Sequence, residues 1–235
     1  HYLYPQIRSD SYLLNLENMS LKIIHTADWH LGQTFFGYDR DEEHEAFLSW
    51  LIDILTLRQT DVLLIAGDVF DVANPSAAAQ RRFFRFLREA NRHNPQLQIV
   101  IIAGNHDSAA RLEAPIPLLE ELNTSIVGVV PRTDLCKIDF DSLLIPLYNK
   151  EGKREAICLA VPYLRQGDYP ASKEGKDTYV EGVTRMYRQL YDYADSQRQP
   201  GEALFAMGHL HATGAELSED DRSERTIMGG LESIS

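Results

Sequence analysis

Val62-Leu63-Leu64-Ile65-Ala66 runs directly into Gly67-Asp68-Val69-Phe70-Asp71. The first five residues are continuously apolar. They have the length and β-branched content of a strand buried on both faces, as in a parallel sheet. Such a strand delivers Asp68 to the carboxyl edge of its sheet, where open α/β folds place their ligands. Asp71 follows three residues later. Alone, Gly-Asp after a strand is ordinary turn chemistry, because Gly tolerates positive φ and Asp bonds nearby backbone.

Two other stretches repeat the design. Leu21-Lys22-Ile23-Ile24-His25 leads into Thr26-Ala27-Asp28-Trp29-His30, and Gln98-Ile99-Val100-Ile101-Ile102-Ala103 leads into Gly104-Asn105-His106-Asp107. Three buried-type strands therefore end in Asp-x-His, Gly-Asp-x-x-Asp and Gly-Asn-His-Asp. Asp, His and Asn offer the mixed oxygen and nitrogen ligands that suit Mn, Fe or Zn. In this order they point to a metal site rather than to turns alone.

These motifs resemble the calcineurin-like metallophosphoesterases, whose pattern continues with a lone His and a closing Gly-His-x-His. The longer stretches Thr26–Gln33, Ala66–Asp71 and Ala103–Ser108 are similar to the SbcD family of nuclease subunits within that superfamily. The resemblance runs from about Leu21 to the end of the chain. It implies an α/β fold, a two-sheet β-sandwich flanked by helices. It also implies two divalent metal ions, with Mn2+ the expected metal. Asp28 and His30 would hold the first ion, Asn105 and His209 the second, and Asp68 would be shared. His106 is implied to protonate the leaving oxygen or to stabilise its charge, with Asp71 orienting it as a carboxylate–histidine pair.

The activity so implied is Mn-dependent exonuclease and endonuclease cleavage at DNA ends and hairpins, in repair, recombination and replication. The implied partners are DNA, an SbcC-like SMC-type ATPase and a second copy of the nuclease subunit in a homodimer. A phosphodiesterase for small phosphoesters or cyclic nucleotides is the alternative enzyme. An inactive dimerisation fragment is the alternative of another class.

Composition bounds these expectations. The chain has 235 residues, 44% hydrophobic and 25% charged, enough for one α/β domain with a sizeable core. No apolar run reaches the ~18 residues of a membrane span. Two cysteines, Cys136 and Cys158, make no disulfide framework and fit a reducing compartment, the cytoplasm. The net charge of −12 argues against a DNA surface built from Lys and Arg alone. Divalent ions reverse the local field, so a metal nuclease tolerates it.

Along the chain, the spacing of Phe47, Leu48, Leu51, Ile54 and Leu55 predicts a helix over Asp41–Arg58, with His44 as a surface residue. The preceding loop, Thr34–Arg40, carries Phe35, Phe36 and Tyr38, which either stack on bases or sugars or pack down on the domain. A second helix, from Ala77 to about Asn91, carries Arg81, Arg82, Arg85 and Arg88 as a solvated or phosphate-binding face, and His93 near its end suits a C-terminal cap. A short helix broken near Pro115 and Pro117 is expected over Arg111–Glu121. Strand-like runs at Ser125–Val130, Leu135–Phe140, Leu143–Leu147 and Ala156–Val161 suggest a second, more antiparallel sheet, with Pro162-Tyr163-Leu164-Arg165 at its end. A last helix, Thr178–Gln197, precedes the strand Ala203–Met207.

The histidines lie at 1, 25, 30, 44, 93, 106, 209 and 211. Gly208-His209-Leu210-His211 reads either as the closing motif or as the segment around the lone middle histidine. Its flanks, Ala212-Thr213-Gly214-Ala215, Ser223-Glu224-Arg225 and Gly229-Gly230-Leu231, are similar to the latter. His209 is therefore expected to be the middle ligand, and His211 is given no role. On that reading residues 1–18 are a leader or vector-derived extension. Residues 19–235 are the nuclease domain, truncated before the closing motif and the C-terminal partner-binding region.

Overall fold

The computed structural model describes residues 21–119, 122–171 and 178–210. The elements run β1 (Ile23–Thr26), β2 (Thr34–Phe35), β3 (Tyr38–Asp39), α1 (Asp41–Leu57), β4 (Val62–Ala66), α2 (Ala77–His93) and β5 (Gln98–Ile102). They continue with α3 (Ala109–Glu113), α4 (Ile116–Leu119), β6 (Thr124–Val127), β7 (Leu144–Tyr148), β8 (Arg154–Ala160), α5 (Tyr179–Gln197) and β9 (Ala203–Met207).

The first sheet has the order β1-β4-β5-β6, and every pairing in it is parallel. All five residues of β4 are buried, as its unbroken apolar run requires. Its side chains still alternate between two cores. Leu63 and Ile65, with Ile99 and Ile101 of β5, pack under Leu48, Leu51 and Leu55 of α1 and Phe83, Phe86 and Leu87 of α2. Val62, Leu64 and Ala66, with Val100 and Ile102, face a second sheet. That sheet has the order β7-β8-β9, with β7 antiparallel and β9 parallel to β8. Val183, Met186, Leu190 and Ala194 of α5 pack in the same core. The layers are thus helices, sheet, sheet and helix, the expected α/β sandwich.

Two expectations change. The run at 125–130 forms β6, which joins the first sheet beside β5 instead of the second. The run at 135–140 forms no strand, only an isolated bridge between Arg132 and Ile138. Both depend on pairing with residues distant in sequence, which local composition does not encode.

The α1–α2 contact corrects two further readings. His44 is buried, in one stripe with Leu48, Leu51 and Leu55, and burial lowers its pKa. Arg82 is buried too, and its guanidinium bonds Asp41 at 2.8 Å and Glu45 at 2.9 Å. An unpaired buried cation costs several kcal/mol, so this arginine joins the helices only because two carboxylates of α1 meet it. Arg85 also reaches Glu45. His93 behaves as a cap, its Nδ1 lying 2.8 Å from the Glu89 carbonyl. No described helix is long and apolar enough to cross a membrane.

Candidate metal centre

The loops after β1, β4 and β5 meet at one sheet edge because parallel strands all end there. Backbone pairing continues past the strands: Asp28 N–H donates to the Gly67 carbonyl at 3.1 Å, and His30 N–H to the Asp68 carbonyl at 3.0 Å. Asp28, His30 and Asp68 all adopt left-handed backbone, with φ of 56°, 46° and 50°. Each such residue costs on the order of 1–3 kcal/mol, so the surrounding bonds must hold it. That turn aims the three side chains inward together.

Gly67 and Gly104 are required by close approach. A Cβ on Gly104 would collide with the Asp68 carboxylate, and one on Gly67 with the His209 ring. Asp107 braces the same turns, as turn chemistry predicts. Its carboxylate accepts from Val69 N–H at 3.2 Å, Phe70 N–H at 3.0 Å and Gly104 N–H at 3.0 Å. Burial raises its pKa against the pull of those bonds.

Asp68 is central. Its Oδ2 lies 3.8 Å from His30 Nε2, 4.0 Å from His106 Nε2 and 3.5 Å from His209 Nε2. Its Oδ1 accepts from His106 N–H at 2.9 Å. Burial opposes its ionisation, but the His209 imidazole and the His106 N–H outweigh that and lower the pKa. Asp28 Oδ1 lies 4.0 Å from His30 Nε2.

His209 follows β9, so the second sheet contributes at the same edge. Its Nδ1 lies 2.9 Å from the Ala66 carbonyl, and its Nε2 lies 2.9 Å from Asn105 Oδ1. Burial lowers its pKa, yet the ring's bonds to Asp68 and Ala66 dominate and raise it to about 9. A carbonyl oxygen at Nδ1 fixes the ring so that Nε2 faces the centre, the usual outer-shell arrangement for a ligating histidine.

The donor chemistry fits divalent cations. Ligand atoms of His30, Asp68 and His106 come within 4.8 Å of one another, as do those of Asp28, Asp68 and His209. Two overlapping groups sharing one buried carboxylate, with Asn105 oxygen beside them, form a mixed oxygen and nitrogen site.

The expected pairing of Asp71 with His106 is corrected in one respect. His106 Nδ1 donates to the Asp71 main-chain carbonyl at 2.7 Å, not to its carboxylate. The carboxylate instead lies 3.5 Å from His30 Nδ1. The loop turns at Asp71 so that carbonyl and side chain point to different histidines. His211 and the flanks at 212–235 lie outside the described residues, as do residues 1–20.

Two neighbours were not singled out from sequence for a role at the centre. Tyr163 stands edge-on to His209, with ring centroids 6.3 Å apart, and Arg165 lies over the Tyr163 ring. Their position just past β8 was the available signal, by the same strand-end logic. The β2–β3 hairpin settles one open alternative: Phe35, Phe36 and Tyr38 are 64%, 87% and 79% exposed and do not pack down.

The family described as calcineurin-like phosphoesterase matches residues 21–228. The chain is 44% identical over 214 residues to the SbcD component of the SbcCD nuclease of Rhodobacter capsulatus, covering 89% of this chain and 52% of that protein. It is 33% identical over 211 residues to the same component from Escherichia coli K12, covering 85% and 48%. With the Bacillus subtilis protein it shares 31% over 208 residues, covering 86% and 50%. The chain therefore spans about half the length of the curated relatives it matches.

Proposed function

The chain belongs to the calcineurin-like phosphoesterase family, and on that premise we propose that it is the nuclease core of an SbcD-type protein. It hydrolyses DNA phosphodiesters at ends and hairpins, in the cytoplasm, with an SbcC-like SMC-type ATPase and as a homodimer. Residues 19–235 form the nuclease part of a longer domain arrangement. The observation that carries the reading is the convergence of Asp28, His30, Asp68, Asn105, His106 and His209 on one edge. The matched relatives are named nuclease subunits, which supports a nucleic-acid substrate over small phosphoesters.

The family uses divalent metals, and we assign two Mn2+ ions here. Asp28 and His30 would hold one, Asn105 and His209 the other, and Asp68 would serve both. When bound, the ions polarise phosphoryl oxygens and lower the pKa of water. Asn105 contributes a neutral oxygen, which limits negative charge beside an anionic substrate. His106 Nδ1–H donates a hydrogen bond to the Asp71 carbonyl, which leaves Nε2 directed at the centre. The doubly protonated ring would pass its Nε2 proton to the leaving oxygen and return to the neutral Nδ1–H form. The Asp71 carboxylate steadies His30, and the Asp71 carbonyl steadies His106.

The test is Mn-dependent cleavage by the full-length protein of a DNA hairpin beside a small aryl phosphodiester and a cyclic nucleotide. Hairpin cleavage with two ions bound per chain supports the reading. Faster turnover of the small esters, with the hairpin intact, would replace it with the small-phosphoester alternative.

A further inference from the structure

Past the end of β8 the chain carries Pro162-Tyr163-Leu164-Arg165 alongside the β5 loop and His209. Tyr163 N–H donates to the Ala103 carbonyl at 2.8 Å, just before Gly104-Asn105. Leu164 is fully buried, and its carbonyl accepts from the Tyr179 hydroxyl at 3.1 Å. Arg165 opens a braced turn: its N–H donates to the Asp168 carboxylate at 2.7 Å, and Arg132 donates to the Gly167 carbonyl at 2.6 Å. The backbone beneath Arg165 is therefore fixed on both sides.

Its side chain is placed differently from those of Arg82, Arg154 and Arg198. The guanidinium groups of Arg82, Arg154 and Arg198 each meet a carboxylate. Among the described residues no carboxylate pairs with that of Arg165. It is exposed, and its Cζ lies 5.4 Å from the centroid of the Tyr163 ring, whose edge abuts His209. An aromatic face orients a guanidinium without neutralising it. The result is an uncommitted cation beside the centre, in a chain whose net charge is −12.

We propose that Arg165, held over Tyr163, binds a phosphate adjacent to the scissile one, so that the centre favours a chain of phosphodiesters over an isolated one. The inference rests on the nuclease reading above and names the residue that recognises its substrate class. A guanidinium matches phosphate oxygens with two parallel donors, which makes Arg the fitting residue at such a position.

The test uses the full-length protein, unaltered and as Arg165→Ala, Arg165→Lys and Tyr163→Leu. Substrates are a short single-stranded oligonucleotide, which has neighbouring phosphates, and bis(p-nitrophenyl) phosphate, which has one. For Arg165→Ala, kcat/KM on the oligonucleotide falls about tenfold or more, chiefly through KM, the loss expected for a charged hydrogen bond. The loss on the single phosphodiester is several-fold smaller. Arg165→Lys restores part of the difference, and Tyr163→Leu falls between. In chelator, anisotropy of a labelled oligonucleotide shows weaker binding for Arg165→Ala, with the salt slope reduced by about one. Equal losses on both substrates would make Arg165 a structural support and overturn the proposal, as would unchanged oligonucleotide kinetics. If the unaltered protein cleaves the single phosphodiester but no oligonucleotide, the nuclease reading itself fails and takes this proposal with it.

Discussion

The two sheets share one core and one functional edge, yet they serve that edge unequally. In the first, three consecutive parallel strands, β1, β4 and β5, each end in a loop that carries site residues. In the second, β9 delivers His209 and β8 leads to Tyr163, while β7 runs antiparallel and ends at Tyr148, away from that edge. Strand direction explains the difference. A strand contributes to the site only if its carboxyl end lies at the shared edge, and β7 alone of these strands does not qualify. The first sheet therefore builds the centre, and the second closes it.

Both sheets meet at Asp68, and its replacement has the largest expected effect. Asp68→Asn keeps the volume but loses the shared charge. We expect both ions to be lost and DNA cleavage to fall by at least about 10³-fold, the upper range for one preorganised electrostatic group. Metal content by mass spectrometry, measured beside activity, checks this. Two ions still bound in that variant would mean the centre does not depend on Asp68.

His106→Ala tests whether the β5 loop supplies a proton donor or another ligand. Its imidazole also lies in reach of the His30 and Asp68 ligand atoms. We expect both ions to stay and cleavage to fall about 10²–10³-fold, as for loss of a general acid. Loss of an ion would move His106 into the ligand set.

How far the sequence disclosed this arrangement varies by residue. Asp68, Asn105 and His106 were readable because an apolar run fixes a strand, and its next residues must lie at the edge. The left-handed backbone of His30 was not readable, since a β1–β4 bond network imposes it. His44 and Arg82 were legible in principle. His44 lies four residues before Leu48, on the same stripe as Leu51 and Leu55, and Arg82 lies between Ala79 and Phe86 on the buried face of α2. Their polarity hid them: Arg82 is tolerated on an apolar stripe only with the carboxylates of another element, and His44 sits there with its pKa lowered by burial. The two pairings of Asp71 were beyond sequence altogether, since they depend on which way one peptide faces.

Leu190→Ala perturbs the core beneath the second sheet. Leu190 is fully buried in the core between α5 and the second sheet. The expected cost is about 2–5 kcal/mol, the range for a Leu-to-Ala cavity. Because that sheet closes the centre without building most of it, metal affinity of the folded protein should stay within a few-fold. Denaturant unfolding and metal titration of one preparation read both quantities. A collapse of affinity in step with stability would show that the second sheet sets the geometry of the first.

The smallest expected effect lies at the start of α5. Thr178 and Glu181 form a capping box: the Thr178 side chain accepts from Glu181 N–H, and the Glu181 carboxylate accepts from Thr178 N–H at 2.9 Å. The same helix reaches the centre through Tyr187, whose hydroxyl packs against Gly208, beside His209. Thr178→Ala removes the cap and costs about 1 kcal/mol, a Tm decrease of about 2–4 °C for a chain of this size. Tyr187 lies nine residues further along α5. Fraying is confined to helix ends, and this separation is more than two turns. The cap should therefore matter for stability and leave metal affinity unchanged. If Thr178→Ala weakens metal binding, α5 acts as one rigid unit from its cap to Gly208, and the closing sheet holds His209 less independently than its short β9 connection suggests.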